Sequence, residues 1–137
     1  MEKNNVAAPT EGWVVAWSAK KDEYRCVDIK EHSVVFKSHI GNCPKDIGDF
    51  LSIIHAILYR EKLSQGGKTQ NIAIYTEGIN AMTLVYGAYV PEGMLNKLDP
   101  PIWDKVNKAL VWLKTNRFSY KVNGWKTGIW GQNPARY

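Results

Sequence analysis

The chain has 137 residues, 45% hydrophobic and 23% charged, the size and composition of a soluble protein with one core rather than two. No apolar run approaches the roughly 20 residues needed to cross a bilayer, which argues against a membrane span. The formal charge of +5 is unevenly placed: residues 101 to 137 hold seven Lys or Arg against the single acid Asp104, a net of +6, while the first hundred hold 11 basic and 12 acidic side chains.

Residues 1–11 read as a polar tail without the apolar stretch of a secretory signal, so the expected compartment is the cytoplasm and the expected domain is 12–137. The run WVVAWSA from Trp13 is β-rich and almost wholly apolar, which predicts a central strand covered on both faces. EYRCVDIK then alternates, with Arg25, Val27 and Ile29 on one side and Tyr24, Cys26 and Asp28 on the other. A short break leads into VVFKS, completing a predicted antiparallel meander of three strands. His32 and His39 fall in predicted loops, and Cys26 and Cys43 lack a C-x-x-C pair or a histidine at zinc-ligand spacing. Both cysteines are expected as reduced thiols, with disulfide pairing left open.

Asp46 can cap a helix in which Ile47, Phe50, Leu51, Ile54 and Leu58 recur at three- and four-residue steps, ending near SQGG. His55, in its middle, has the spacing of a packed residue rather than of a metal ligand. NIAIYTEG predicts a second buried strand ending at an acid, and INAMTLVYGAYV a short helix entered directly from it. VPEGMLNKLDPP is read as a loop, with Pro100 and Pro101 where a helix start tolerates them. IWDKVNKALVWLKTN sets Ile102, Val106, Ala109, Leu110 and Leu113 on one face, and FSYKVNGWK predicts the last strand. The order βββαβααβ implies one mixed sheet with helices packed on it.

That order, with the strings DIGDFLSIIHAILY, IAIYTEG, and WLKTN followed by WKTGIWGQNPAR, resembles the ribonuclease H family, its Bacteroidetes-type bacterial members in particular, over residues 13–136. The resemblance implies an α/β fold with a mixed five-stranded sheet, three antiparallel meander strands first. It also implies four carboxylates at the centre of the sheet, holding two Mg²⁺ ions for hydrolysis of the RNA strand of an RNA:DNA hybrid. Carried over position by position, the set is damaged. The first-strand acid falls on Trp17, the helix acid on Asp49, the fourth-strand acid on Glu77, and the last acid on Arg136. The expected remnant is therefore Asp49 and Glu77, weak as metal ligands if they bind at all, with Arg136 as an internal partner for both in place of the metal. No cofactor is expected unless some Mg²⁺-dependent activity remains. The substrate-reading turn and the stretch before the first helix have also changed, to 19–22 and to Lys45 and Asp46.

These readings lead to a ribonuclease H-like protein, inactive or impaired as an enzyme, that binds an RNA:DNA hybrid or related duplex, or else a protein partner or a second copy of itself. The alternative is a residual Mg²⁺-dependent ribonuclease H. Candidate phosphate contacts are Lys105, Lys108, Lys114, Lys121 and Lys126, although a basic face can equally serve solvation. Trp103 and Trp112 are expected to pack on the sheet or a partner rather than to stack on bases, and Trp17 to fill the vacated cleft.

Overall fold

The structure, a computed structural model, describes residues 7–65, 72–116 and 122–136. The meander forms as expected from β1 (Trp13–Ser18), β2 (Glu23–Asp28) and β3 (Ser33–His39). Its two tight turns use left-handed backbone at Asp22 and His32, where short polar or imidazole side chains tolerate a positive φ better than branched ones. His39, expected in a loop, closes β3 instead, because β3 runs antiparallel to β2 as far as the Glu23–His39 pair. Helix α1 (Lys45–Gln65) precedes β4 (Ile74–Thr76), and α2 (Ile79–Gly87) follows it. α4 (Pro100–Thr115) then leads towards β5 (Val122–Gly124). Two single-turn helices went unpredicted: α3 (Glu92–Leu95), inside the expected loop, and α5 (Thr127–Trp130), near the end. Each is one turn long, too short to show a periodic apolar pattern.

The five strands form one mixed sheet in the order β3-β2-β1-β4-β5. β1 pairs antiparallel with β2 and parallel with β4, and β4 pairs parallel with β5. The central placing of β1 follows from its composition: Trp13, Val14, Val15 and Ala16 are all buried. Trp13 and Val15 face the helices, whereas Val14 and Ala16 face a smaller cluster with Val27, Ile29, Trp125 and Ala135. The helices therefore cover one face, and the segment after β5 crosses the other. Both edges are blunted. On β3 the pairing slips between Cys26 and Val27, a bulge that breaks the regular edge. Beside β5, Tyr86 Oη donates to the Val122 carbonyl at 2.8 Å and accepts from its N–H at 2.9 Å.

α1 is the hub of the core. Its buried stripe is wider than the predicted one, taking in Ile53, Ala56 and Ile57 as well as Ile47, Phe50, Leu51 and Ile54, because α2 and α4 flank the helix while the sheet lies beneath it. Leu58, predicted for that stripe, is instead 40% exposed. Asp46, expected as the cap, lies inside the first turn, and Pro44 O receives the N–H groups of Ile47 and Gly48 at 3.0 Å. Removing the fully buried Phe50 side chain would cost about 3–5 kcal/mol. On α4 the buried set is Ile102, Val106, Ala109, Leu110 and Leu113, the face its periodicity predicts, but Trp103 is 48% exposed rather than packed on the sheet. Among the described residues no helix is long and apolar enough to cross a membrane.

Candidate functional site

The parallel strands β1 and β4 end side by side, and α1 begins next to them. In mixed α/β sheets a crevice forms outside such strand ends, where the chain departs to opposite sides. Here the crevice is a cavity of about 320 Å³ lined by Val15, Ala16, Trp17, Lys45, Asp49, Glu77, Asn133 and Arg136. Trp17, Asp49, Glu77 and Arg136, which are scattered over 120 residues of sequence, thus meet around one space.

Asp49 sits one turn into α1 and is buried, with its carboxylate against the turn after β4. A Cβ on Gly78 would lie 2.7 Å from Asp49 Oδ2, so only glycine lets the two elements approach this closely. Lys45, one helical turn earlier, places Nζ 2.7 Å from the same oxygen. Burial pushes the Asp49 carboxyl above the usual range, and the hydrogen bond and charge of Lys45 pull it partly back. The cation beside Asp49 is therefore Lys45. The expected bridge from Arg136 does not form: among the described residues no ion pair joins Arg136 to Asp49 or Glu77. The reason lies in the chain's exit path, for Arg25 holds this segment by its backbone and leaves the Arg136 side chain exposed. Arg25 Nε donates to the Ala135 carbonyl at 2.7 Å and Nη2 to the Arg136 carbonyl at 2.9 Å.

Glu77 follows β4 directly and is held from the C-terminal segment. Thr127 Oγ1 donates to Glu77 Oε2, and Asn133 Nδ2 to Oε1 at 3.4 Å. Asn133 is buried, also donates to the Val15 carbonyl at 3.3 Å, and accepts from the Ala135 N–H at 2.7 Å. It ties the last segment across β1.

Trp17 fills the gap between β1 and α1. A Cβ on Gly48 would stand only 2.3 Å from its Cδ2, so the indole lies flat on the helix backbone. Its Nε1 is buried and lacks a hydrogen-bond partner among the described residues, a cost of about 1–3 kcal/mol. The ring is accommodated as bulk, with its polar atom unserved.

These donors do not fit a pair of divalent cations. Trp17 offers no oxygen, one Asp49 oxygen is taken by an ammonium, both Glu77 oxygens are hydrogen-bonded, and the cations Lys45 and Arg136 also line the cavity. Among the described residues no group of three His, Cys, Asp or Glu side chains could hold a metal ion. Cys26 and Cys43 are free thiols, and burial with nearby carboxylates pushes the Cys43 thiol up to about 12, which makes it a poor nucleophile. His55 stacks on Phe36 with ring centroids 3.8 Å apart, and a 2.8 Å hydrogen bond joins its Nδ1 to Tyr24 Oη, the packed role expected for it.

The candidate basic contacts are not gathered into one stripe. Lys105, Lys108, Lys114 and Lys126 are all exposed, but only Lys105 and Lys108 line a common groove. Lys114 lies roughly half a turn round α4 from Lys105. Lys126 precedes α5, and Lys121 lies outside the described residues.

Lys45 could have been found from the sequence, since Lys45-x-x-x-Asp49 is the spacing of a helical ion pair. Thr127 and Arg25 carry no local signal, because the groups they bind lie 50 and 110 residues away, and the short-range bond from Ala135 to Asn133 does not reveal the reach of Asn133 to Val15, 118 residues away. No protein-family model and no curated protein sequence matches the chain, so the reading of the site rests on its geometry and charge.

Proposed function

We propose that the chain is a ribonuclease H-like domain whose carboxylate centre has become an ion-paired, tryptophan-filled pocket, and that it binds an RNA:DNA hybrid or related duplex without cutting it. The observation that carries this reading is the Lys45–Asp49 pair at 2.7 Å beside Trp17 lodged on Gly48. A tethered ammonium stands where the resemblance calls for a metal, and an indole stands where it calls for a ligand. The strand order and the meeting of the four carried-over positions around one cavity support the family assignment. The net +6 of the last 37 residues supports a polyanionic partner.

The test is a fluorescently labelled RNA:DNA hybrid, followed both for binding and for strand cleavage. Binding should weaken on the order of a hundredfold between about 50 and 200 mM salt if about four phosphates are contacted. A Lys114→Glu, Lys126→Glu variant should bind less tightly and show a shallower salt slope. Cleavage in Mg²⁺ or Mn²⁺ that disappears in Asp49→Ala or Glu77→Ala would overturn the non-cutting role and restore the residual enzyme. Salt-insensitive or absent binding would overturn the nucleic-acid role.

A further inference from the structure

We propose that the groove between α1 and α4 is a binding site for a small amphipathic organic anion, an aliphatic or aromatic body carrying one anionic head group. The groove is separate from the carboxylate cavity. Its α1 residues Leu51, Ile54 and Leu58 lie roughly 140–200° round the helix from Asp49. The inference does not rest on the ribonuclease H reading.

The groove is an open depression of about 600 Å³, within the size range of small-molecule sites. Leu51 and Ile54, 6% and 4% exposed, form its floor, and Leu58 and Trp112 rise from the two helices as walls. Towards the sheet it meets the hydrogen-bonded pair of Tyr24 and His55. Leu58 breaks from the predicted core stripe of α1, is 40% exposed and lines this space, so an occupant would cover part of an apolar side chain that the fold leaves wet.

The charged residues that line the groove are cationic. Lys62, Lys105 and Lys108 line it, and among the described residues no acidic side chain does. Lys108 reaches the exposed Asp104 at 3.1 Å, a solvent-screened pair that holds it weakly, while Lys62 and Lys105 form no ion pair among the described residues. A cationic rim over an apolar floor matches a molecule with the opposite arrangement. A duplex backbone fits less well, because it needs projecting cations and gains nothing from a recessed apolar floor.

The probes are dodecanoate, decanoate and dodecyltrimethylammonium below their micellar concentrations, titrated into the whole chain by calorimetry and by tryptophan fluorescence. Dodecanoate should bind with one site and shift the emission. Decanoate, two methylenes shorter, should bind roughly fifteenfold more weakly. The cationic amphiphile should bind at least tenfold more weakly than dodecanoate, and a Lys105→Glu, Lys108→Glu variant should lose about tenfold for dodecanoate. Leu58→Glu, an exposed change that leaves the core intact, should abolish binding, whereas Lys114→Glu outside the groove should leave it unchanged. Equal affinity for both head-group charges, or dodecanoate binding that survives Leu58→Glu, overturns the proposal. So does a failure to bind dodecanoate alongside binding of an amphipathic helical peptide of about 15 Leu and Glu residues, which would make the groove a protein-docking site.

Discussion

Gly48→Ala isolates the contact that seats Trp17 against α1. In an exposed helix interior this change would stabilise by about 1 kcal/mol, because alanine restricts the unfolded chain and favours helix. At position 48 the new methyl would stand 2.3 Å from Trp17 Cδ2, well inside van der Waals contact, and the ring or the helix must shift. Overpacking of this kind costs about 1–3 kcal/mol, so the net change should be a loss of up to about 2 kcal/mol. In a chain of this size that lowers Tm by about 3–5 °C per kcal/mol. Trp17→Ala removes the clash partner and the unserved indole N–H together, and in that background Gly48→Ala should recover its stabilising sign. The double-mutant cycle, read from urea unfolding, should therefore show a coupling of about 1–3 kcal/mol. If Gly48→Ala stabilises the parent chain as much as it stabilises Trp17→Ala, the indole does not lie on the helix as described.

Asp49→Asn should stabilise the protein near neutral pH, with the gain shrinking as pH falls towards about 4. The carboxyl titrates above its unfolded value, so it favours folding at low pH and becomes a cost as pH rises through its folded pKa. A gain that grows on acidification, in urea midpoints measured from pH 4 to 8, would contradict this. Arg25→Lys should cost about 1–2 kcal/mol, since an ammonium cannot reproduce the fork to the Ala135 and Arg136 carbonyls. Hydrogen exchange should quicken at the Ala135 and Arg136 amides while the β1 amides stay protected; uniform loss would point to a global effect. The triple change Trp17→Asp, Lys45→Asn, Arg136→Asp should lower Tm in metal-free buffer and recover several degrees in about 10 mM Mg²⁺, by the linkage of binding to folding. An unchanged Tm on adding Mg²⁺ would show that acidic side chains at these positions are not enough to make the pocket a metal site.

The sheet's centre and the α4 interface are legible in the sequence. Both follow from short-range patterns: an unbroken apolar run in β1 covered on both faces, and a three- to four-residue repeat in Ile102, Val106, Ala109, Leu110 and Leu113. The sequence also brought Trp17, Asp49, Glu77 and Arg136 into a single reading, through the family resemblance. Which charges meet depends on how the elements pack. By charge Arg136 is the natural partner of Asp49 and Glu77, but the backbone hold of Arg25 on the last segment leaves its side chain exposed, and Lys45 reaches Asp49 from within the same helix. The same holds for Leu58, whose spacing predicts core and whose neighbours leave it facing a groove. Apolar periodicity reports which side of a helix faces inward, because burial is summed over many weak contacts. An ion pair or a groove wall depends on where one side chain ends, and only the packed chain fixes that.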